Sequence, residues 1–447
     1  MLTKDQFADL SEKIIKLSPA NETEVSYAGS ENSLTRFSNN IITQNVIKKD
    51  ESISILLVKE GKTSRVRIHE FDDESINKAF KNGMEIMSLS KEHDKFLPLP
   101  EAQKYQEIRN CFFEDTANFS PIERAEQISF AVKEAEAKKL SMAGIYTSGE
   151  TRSAMANSNG LIAFDKRTNA QVSLTAQSET SYGWAEDGNR DVAKIDIEKA
   201  TQTAIEKCLT SQNPTEIEPG KYDVVLEAPC VTDFLSYLNW KAFGGLAYLE
   251  NRSFMAGKLG QKIFGENITI KENAFNEMNP GKPYDGEGMP KKPVTLIENG
   301  VLKEIVHDRY TAQKVGTEST GHGFGFPNSI GPYPSNLELS AGNSSLEEMI
   351  ASTERGLLVT HFHYTNTLDH FNLILTGMTR DGLWLIENGK ISRPVMNLRF
   401  TDSIPRVMNN IELISKELQF KHTFWGSGFV VPSIKVKDFN FSSKTER

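Results

Sequence analysis

Residues 356–389 read GLLVTHFHYTNTLDHFNLILTGMTRDGLWLIENG and pack three of the chain's eight histidines, His361, His363 and His370, into ten positions. Short apolar runs separated by turn signals at Arg380-Asp381-Gly382 and Asn388-Gly389 predict strands over 357–364, 371–379, 383–387 and 390–398. The run closes on Leu385-Ile386-Glu387-Asn388-Gly389, and the same five residues occur once before, at 296–300. A repeated hairpin therefore brackets the region, and this half of the chain is expected to be β-rich.

Successive side chains on a strand point to opposite faces, so His361 and His363 share one, about 7 Å apart at Cα, with Leu357, Val359 and Thr365. Leu358, Phe362 and Tyr364 form the other, more core-like face. Two imidazoles so placed suit a metal ion, for which His322, Asp369 or His370 would supply a third ligand. The competing reading makes them hydrogen-bonded pocket residues, the commoner role of paired histidines on a β face.

On the C-terminal side, a helix is expected over 405–418 and a strand over 428–436. On the N-terminal side, a short helix over 344–355 has a capping box in Ser344 and Glu347 and a stop at Gly356. His322 lies in the irregular loop Gly321-His322-Gly323-Phe324-Gly325, which lacks the Lys-Ser/Thr ending of a phosphate loop. A hairpin over 294–298 and 301–307 turns on Asn299-Gly300 in the type I′ manner. Residues 231–241 read as a short helix after a buried strand over 222–226. Residues 211–221, with Pro214, Pro219 and Gly220, have linker composition, which sets domains at 1–210 and 222–447.

The first domain repeats a plan. An amphipathic helix with Phe7, Leu10, Ile14 and Leu17 on one face precedes β segments over 23–27, 33–38, 41–48 and 52–59, and a helix follows over 73–88. Ser120-Pro121-Ile122-Glu123 then opens a second helix, to about Leu140, with a hydroxyl cap, proline in the first turn and a capping-box glutamate. Strands over 143–148, 153–158, 161–166 and 171–179 and a helix over 191–209 complete the second round. Arg36-Phe37-Ser38-Asn39-Asn40-Ile41-Ile42 aligns with Ala156-Asn157-Ser158-Asn159-Gly160-Leu161-Ile162 at the Asn-centred turns. The expected class is α+β with two domains: an N-terminal domain of duplicated helix–β-meander–helix units, and a C-terminal domain of hairpins and barrel-like sheets. Ordinary turn chemistry is the alternative origin of the similar hairpins.

Net charge −9 argues against direct nucleic-acid binding, which needs a concentrated basic surface. Three cysteines without C-x-x-C spacing indicate neither a disulfide framework nor a zinc knuckle and fit a reducing cytoplasm. The first residues lack a signal peptide's apolar core, and no apolar run is long enough for a bilayer. No G-x-S-x-G places a serine nucleophile. Cys230 has no neighbouring histidine and reads as a small apolar filler. His69, His93, His307 and His422 read as surface or satisfied core residues.

Several stretches together resemble the TldD/PmbA family of zinc-metallopeptidase-related proteins, also named as modulators of DNA gyrase. They are Arg36-Phe37-Ser38-Asn39-Asn40-Ile41, Leu296 to Leu302, Thr320-Gly321-His322-Gly323, Glu354 to Thr360 and Leu375 to Gly382. Active members of that family carry H-E-x-x-x-H on the helix after the first C-terminal-domain strand and a later cysteine as third ligand. The corresponding helix here places Ser236, Tyr237 and Lys241 at the motif positions, and no cysteine follows Cys230. The resemblance is closest to the PmbA (TldE-like) branch. It implies a non-catalytic or accessory subunit of a cytoplasmic peptidase acting on unfolded peptides, in a dimer with a TldD-like catalytic subunit or with itself. No cofactor is expected in this chain, and zinc is expected in the partner. Two rivals are a self-sufficient metallopeptidase with a relocated site at His322, His361 and His363, and a non-enzymatic gyrase-binding protein.

Overall fold

A computed structural model describes residues 1–92, 95–423 and 428–445; His93 lies outside the described residues. Thr3 caps helix α1 (Lys4–Leu17) through a capping box with Gln6. Strands β1 (Glu22–Ser38), β2 (Ile41–Lys59) and β3 (Lys62–Ile68) follow, then α2 (Asp73–Leu89) and a single turn, α3 (Glu114–Ala117). The second round runs α4 (Pro121–Ala137), β4 (Ser141–Asn157), β5 (Ile162–Gln177), β6 (Tyr182–Asn189) and α5 (Ile197–Thr210). Ser120 and Glu123 form the anticipated capping box on α4. Asn39 and Asn40 both take positive φ, 50° and 64°, which asparagine tolerates and a two-residue hairpin needs.

These strands build one six-stranded sheet in the order β3-β2-β1-β4-β5-β6. Each triplet is a meander flanked by helices, and the two triplets join where β1 pairs antiparallel with β4. The apolar cores stay separate: Phe7, Ile14, Ile55 and Phe80 belong to one, Ile128, Tyr146, Leu174 and Ala204 to the other. The segments expected at 23–27 and 33–38 are one unbroken strand because β2 and β4 hold its polar middle extended from both sides, and those at 161–166 and 171–179 are one strand because β4 pairs across the gap between them. The last helix of the unit starts later than the expected 191, after a 3-10 turn, where Asp196 caps the backbone N–H of Lys199.

The second sheet draws its strands from residues 220–444. It comprises β7 (Gly220–Leu226), β8 (Ile270–Glu272), β9 (Val294–Glu298), β10 (Val301–Leu302) and β11 (Leu337–Leu339). To these are added β12 (Arg355–Asp369), β13 (Ile374–Glu387), β14 (Lys390–Pro394), β15 (Leu398–Ser403), β16 (Ile411–His422) and β17 (Gly428–Lys444). Between β7 and β8 lie α6 (Ala228–Ala242) and α7 (Gly245–Leu249); α8 (Arg309–Val315), α9 (Leu346–Ala351) and α10 (Ile404–Asn409) are short. Strand β7 pairs with both β12 and β17, and β12, β13, β15 and β17 pair in turn, so five strands close a ring. Phe234 of α6 packs on Phe362, Phe400 and Phe439 from this ring, with centroids 5.4, 6.1 and 6.1 Å away. All four rings are buried, each contributing about 1.5–3 kcal/mol by leaving water. The α+β, two-domain architecture with a barrel-like second domain is thus the observed one.

Three local expectations are corrected. Residues 405–418 are not one helix: α10 stops at Asn409 and β16 begins at Ile411, held extended by pairing with β17. The capping box before α9 is Ser345 with Glu348, one residue later than Ser344 with Glu347, and Arg355 already belongs to β12. Arg380-Asp381-Gly382 is not a turn between strands. It is a bulge inside β13, since His361 faces Arg380 while Val359 faces Leu383.

Candidate functional site

The bulge sets the geometry around His361. Asp381 and Gly382 take φ of 56° and 127°, and a Cβ on Gly382 would lie 2.2 Å from the Trp384 ring. Such an insertion re-aims side chains, and here it brings the Asp381 carboxylate to 3.4 Å from His361 Nε2. Trp184 of β6, from the other domain, covers the imidazole at a centroid distance of 4.4 Å. His361 is 16% exposed. Burial, reinforced by Lys207, Arg380 and His363, pushes its imidazole down to about 3, so the ring is neutral at pH 7. Burial pushes the Asp381 carboxyl the other way, up to about 6, against the charges of Arg380 and Lys207. His361 Nδ1 and the Thr360 hydroxyl beside it are buried with no hydrogen-bond partner among the described residues.

The other sequence-derived site residues are not gathered here. His363 Nε2 lies 2.5 Å from Arg380 Nη1, whose guanidinium also stands 3.6 Å from Asp381 Oδ2. A cation already holds the ground that a metal between the two histidines would need. His322 is buried elsewhere, with Nε2 3.2 Å from Glu272 Oε1 and Nδ1 2.9 Å from Thr320 Oγ1; it fastens a loop to β8. Asp369 accepts the backbone N–H groups of Phe371 and Asn372 and shapes a tight turn. His370 stands edge-on to Trp240. Among the described residues no three His, Cys, Asp or Glu side chains are grouped to hold a metal ion. The relocated site at His322, His361 and His363 is therefore not formed.

Helix α6 carries Ser236, Tyr237 and Lys241, the positions at which the motif is expected. Ser236 Oγ donates to Thr232 O at 2.8 Å, the Tyr237 hydroxyl donates to Thr365 O, and Lys241 Nζ lies 3.3 Å from the Trp240 ring centre. A hydroxyl, a phenol and an ammonium so engaged do not fit a zinc ion, which takes thiolate, imidazole or carboxylate ligands. Asp233 on the same helix accepts from Thr365 Oγ1 at 2.9 Å, and burial pushes its carboxyl up to about 7. Cys230 is buried beside Val359 O, consistent with a packing role.

Between the two domains opens a cavity of about 780 Å³, walled by Trp184 and Glu186 of β6, Lys207 of α5, Glu227 before α6, and Phe420 and Lys421 of β16. Its charges are mixed, and two of its three lysines are ion-paired across it. Lys207 Nζ lies 2.6 Å from Glu227 Oε2, and Lys421 Nζ lies 4.0 Å from Glu186 Oε1. Gly188 lets the domains approach, since a Cβ there would come within 2.3 Å of the His422 ring.

Trp184, Lys207, Glu227 and Asp381 escaped sequence reasoning. Only the positive-φ signature of Asp381-Gly382 was visible, and it serves a turn and a bulge equally well. The others reach the cleft through packing between domains, which leaves no periodic trace.

A duplicated meander sheet set against a five-stranded ring, with helix α6 packed on the ring, makes an α+β protein of two domains. Residues 219–443 match the PmbA/TldA metallopeptidase C-terminal domain and residues 117–211 the central domain. The chain belongs to the PmbA/TldD family. A protein named as a metalloprotease in Methanothermobacter thermautotrophicus is 25% identical over 300 residues, 64% of this chain and 65% of that one, so the match spans under two thirds of the relative. TldE from Thermococcus kodakarensis superposes with a TM-score of 0.86 at 22% identity, over 97% of this chain and 100% of that one. A Thermotoga maritima protein described as a candidate modulator of a DNA gyrase gives 0.88 at 20% identity, over 98% and 100%. Likeness at this identity is one of fold. No helix among the described residues is long and apolar enough to cross a membrane.

Proposed function

We propose that this chain is a non-catalytic, accessory subunit of a cytoplasmic PmbA/TldD-type peptidase, dimeric with a zinc-bearing TldD-like subunit or with a second copy of itself, and that it lines a cleft for unfolded peptides. One observation carries this reading. Helix α6, where active relatives are expected to hold zinc, presents Ser236, Tyr237 and Lys241, each committed to a neighbour within the fold. Without imidazole, thiolate or glutamate at these three positions, none of them binds the metal or takes a proton from its water. The interdomain cavity supports a binding role, being large enough for several residues of extended chain and lined by both charge signs.

The test is a pull-down of the tagged full chain from its native host, paired with a peptidase assay on the purified chain loaded with zinc. Recovery of a partner bearing H-E-x-x-x-H, together with an inert isolated chain, is the expected result. Chelator-sensitive cleavage of unfolded peptides by the chain alone would overturn the accessory role.

A further inference from the structure

Beside the interdomain cavity, and sharing Phe420 with it, lies a second cavity of about 340 Å³. Its charged wall is Arg167, Arg190 and Lys282, and among the described residues no Asp or Glu lines it. Compensation from behind is partial. Asp165 Oδ2 accepts from Arg167 Nε at 2.9 Å and Nη2 at 2.7 Å, which settles one cation. Among the described residues Arg190 donates only to neutral oxygens, Thr168 O at 3.2 Å and Pro280 O at 3.3 Å. Lys282 has no ion pair among the described residues; its ammonium stands 4.4 Å from the Tyr284 ring centre. Asp165 and then Asp285 are the carboxylates whose charge reaches Lys282; Asp165 is already engaged by Arg167, and Asp285 is occupied by the N–H groups of Gly323, Glu287 and Met289. His422 on the same wall is neutral at pH 7, pushed down to about 4 by burial and by Arg190 and Lys421.

Partly buried cations without counter-charge are costly, and folded proteins keep them where something anionic is to be met. Burial pushes the Lys282 ammonium down to about 8 and the Arg190 guanidinium to about 10, which expresses the same deficit. Arg190 offers a planar fork and Lys282 a point charge, and together they suit a planar carboxylate. Asn169 and Asn279 add amide groups to the wall.

We infer that this cavity is a carboxylate-binding subsite of the cleft, in which Arg190 and Lys282 take the carboxylate of a peptide whose chain lies in the larger cavity past Phe420. The inference rests on reading the cleft as a peptide site. It is tested by equilibrium binding to the isolated chain, so its failure and the failure of the partner and zinc experiments are distinguishable.

The probe is N-acetyl-tetraalanine with a free C-terminal acid, titrated calorimetrically into the full chain. It is compared with the same peptide as its amide, with N-acetyl-Ala-Ala-Glu-Ala amide, and with inorganic phosphate. The acid should bind at least about tenfold more tightly than the amide, the loss expected for one charge-assisted contact. Lys282→Gln and Arg190→Gln should each remove that preference; thermal unfolding checks that both variants fold, and Lys282→Gln breaks no ion pair. Equal binding of the glutamate-containing amide would support the subsite and assign it to a side-chain carboxylate; weak binding would support it and assign it to the chain end. Acid and amide binding alike, no binding of either, binding of phosphate alone, or an unchanged preference in a folded Lys282→Gln variant would each overturn it.

Discussion

The two cavities that meet at Phe420 solve the same electrostatic problem in opposite ways. In the larger one two of the three lysines have a carboxylate across the seam between the domains, Lys207 with Glu227 and Lys421 with Glu186. In the smaller one Arg190 and Lys282 have no such partner among the described residues. A paired charge at a seam holds the seam together, whereas an unpaired one is a standing demand on whatever enters. The first cavity's lysines therefore read as architecture, and the second's cations as recognition.

Removing one lysine from each side is the strongest way to break this contrast. Lys207→Met leaves Glu227 uncompensated in a wall where both partners are under one-fifth exposed, and should lower stability by about 2–3 kcal/mol in urea unfolding. A Lys207→Met/Glu227→Leu double variant should recover most of the loss. Lys282→Met removes an uncompensated charge and should leave stability within about 0.5 kcal/mol of the parent or raise it. Equal losses in the two single variants would erase the distinction.

A smaller effect sharpens it at the His361–Asp381 pair. Asp381, raised to about 6 from an ordinary 3.8, binds its proton more readily folded than unfolded, so acidification between those values favours the fold. His361, lowered to about 3 from 6.5, binds its proton more readily unfolded, so acidification below 6.5 costs stability. Between pH 7 and 4 the two oppose one another. Asp381→Asn should make the chain more acid-sensitive and His361→Gln less so, each by on the order of 1–2 kcal/mol across that window. Parallel curves for both variants and the parent would show that neither group titrates differently in the folded state.

What could be read in advance follows how local each signal is. The Ser120 helix start and the Asn39-Asn40 turn are stated within four residues, because a cap or a positive-φ pair is satisfied by its own neighbours. Residues 411–422 carried no comparable signal. Their strand exists because β17 offers a ladder, and an apolar-and-charged segment of that length suits helix or strand alike. His361 and His363 could be picked out as unusual, but their company could not. Trp184 and Lys207 arrive from the other domain, and the bulge that delivers Asp381 looks like a turn until its partner strand is in place.

By itself, the sequence determined the α+β class, the duplicated meander, the family resemblance and the absence of an H-E-x-x-x-H pattern from the segment that forms α6. Each is a matter of which residue types stand at which spacing, and chain connectivity preserves that information. The closed ring, the seam between the domains and the inventory of compensated and uncompensated charge were decided by tertiary structure alone. Whether a lysine is architecture or recognition depends on the distance to a carboxylate far away in the chain, and only the folded packing sets that distance.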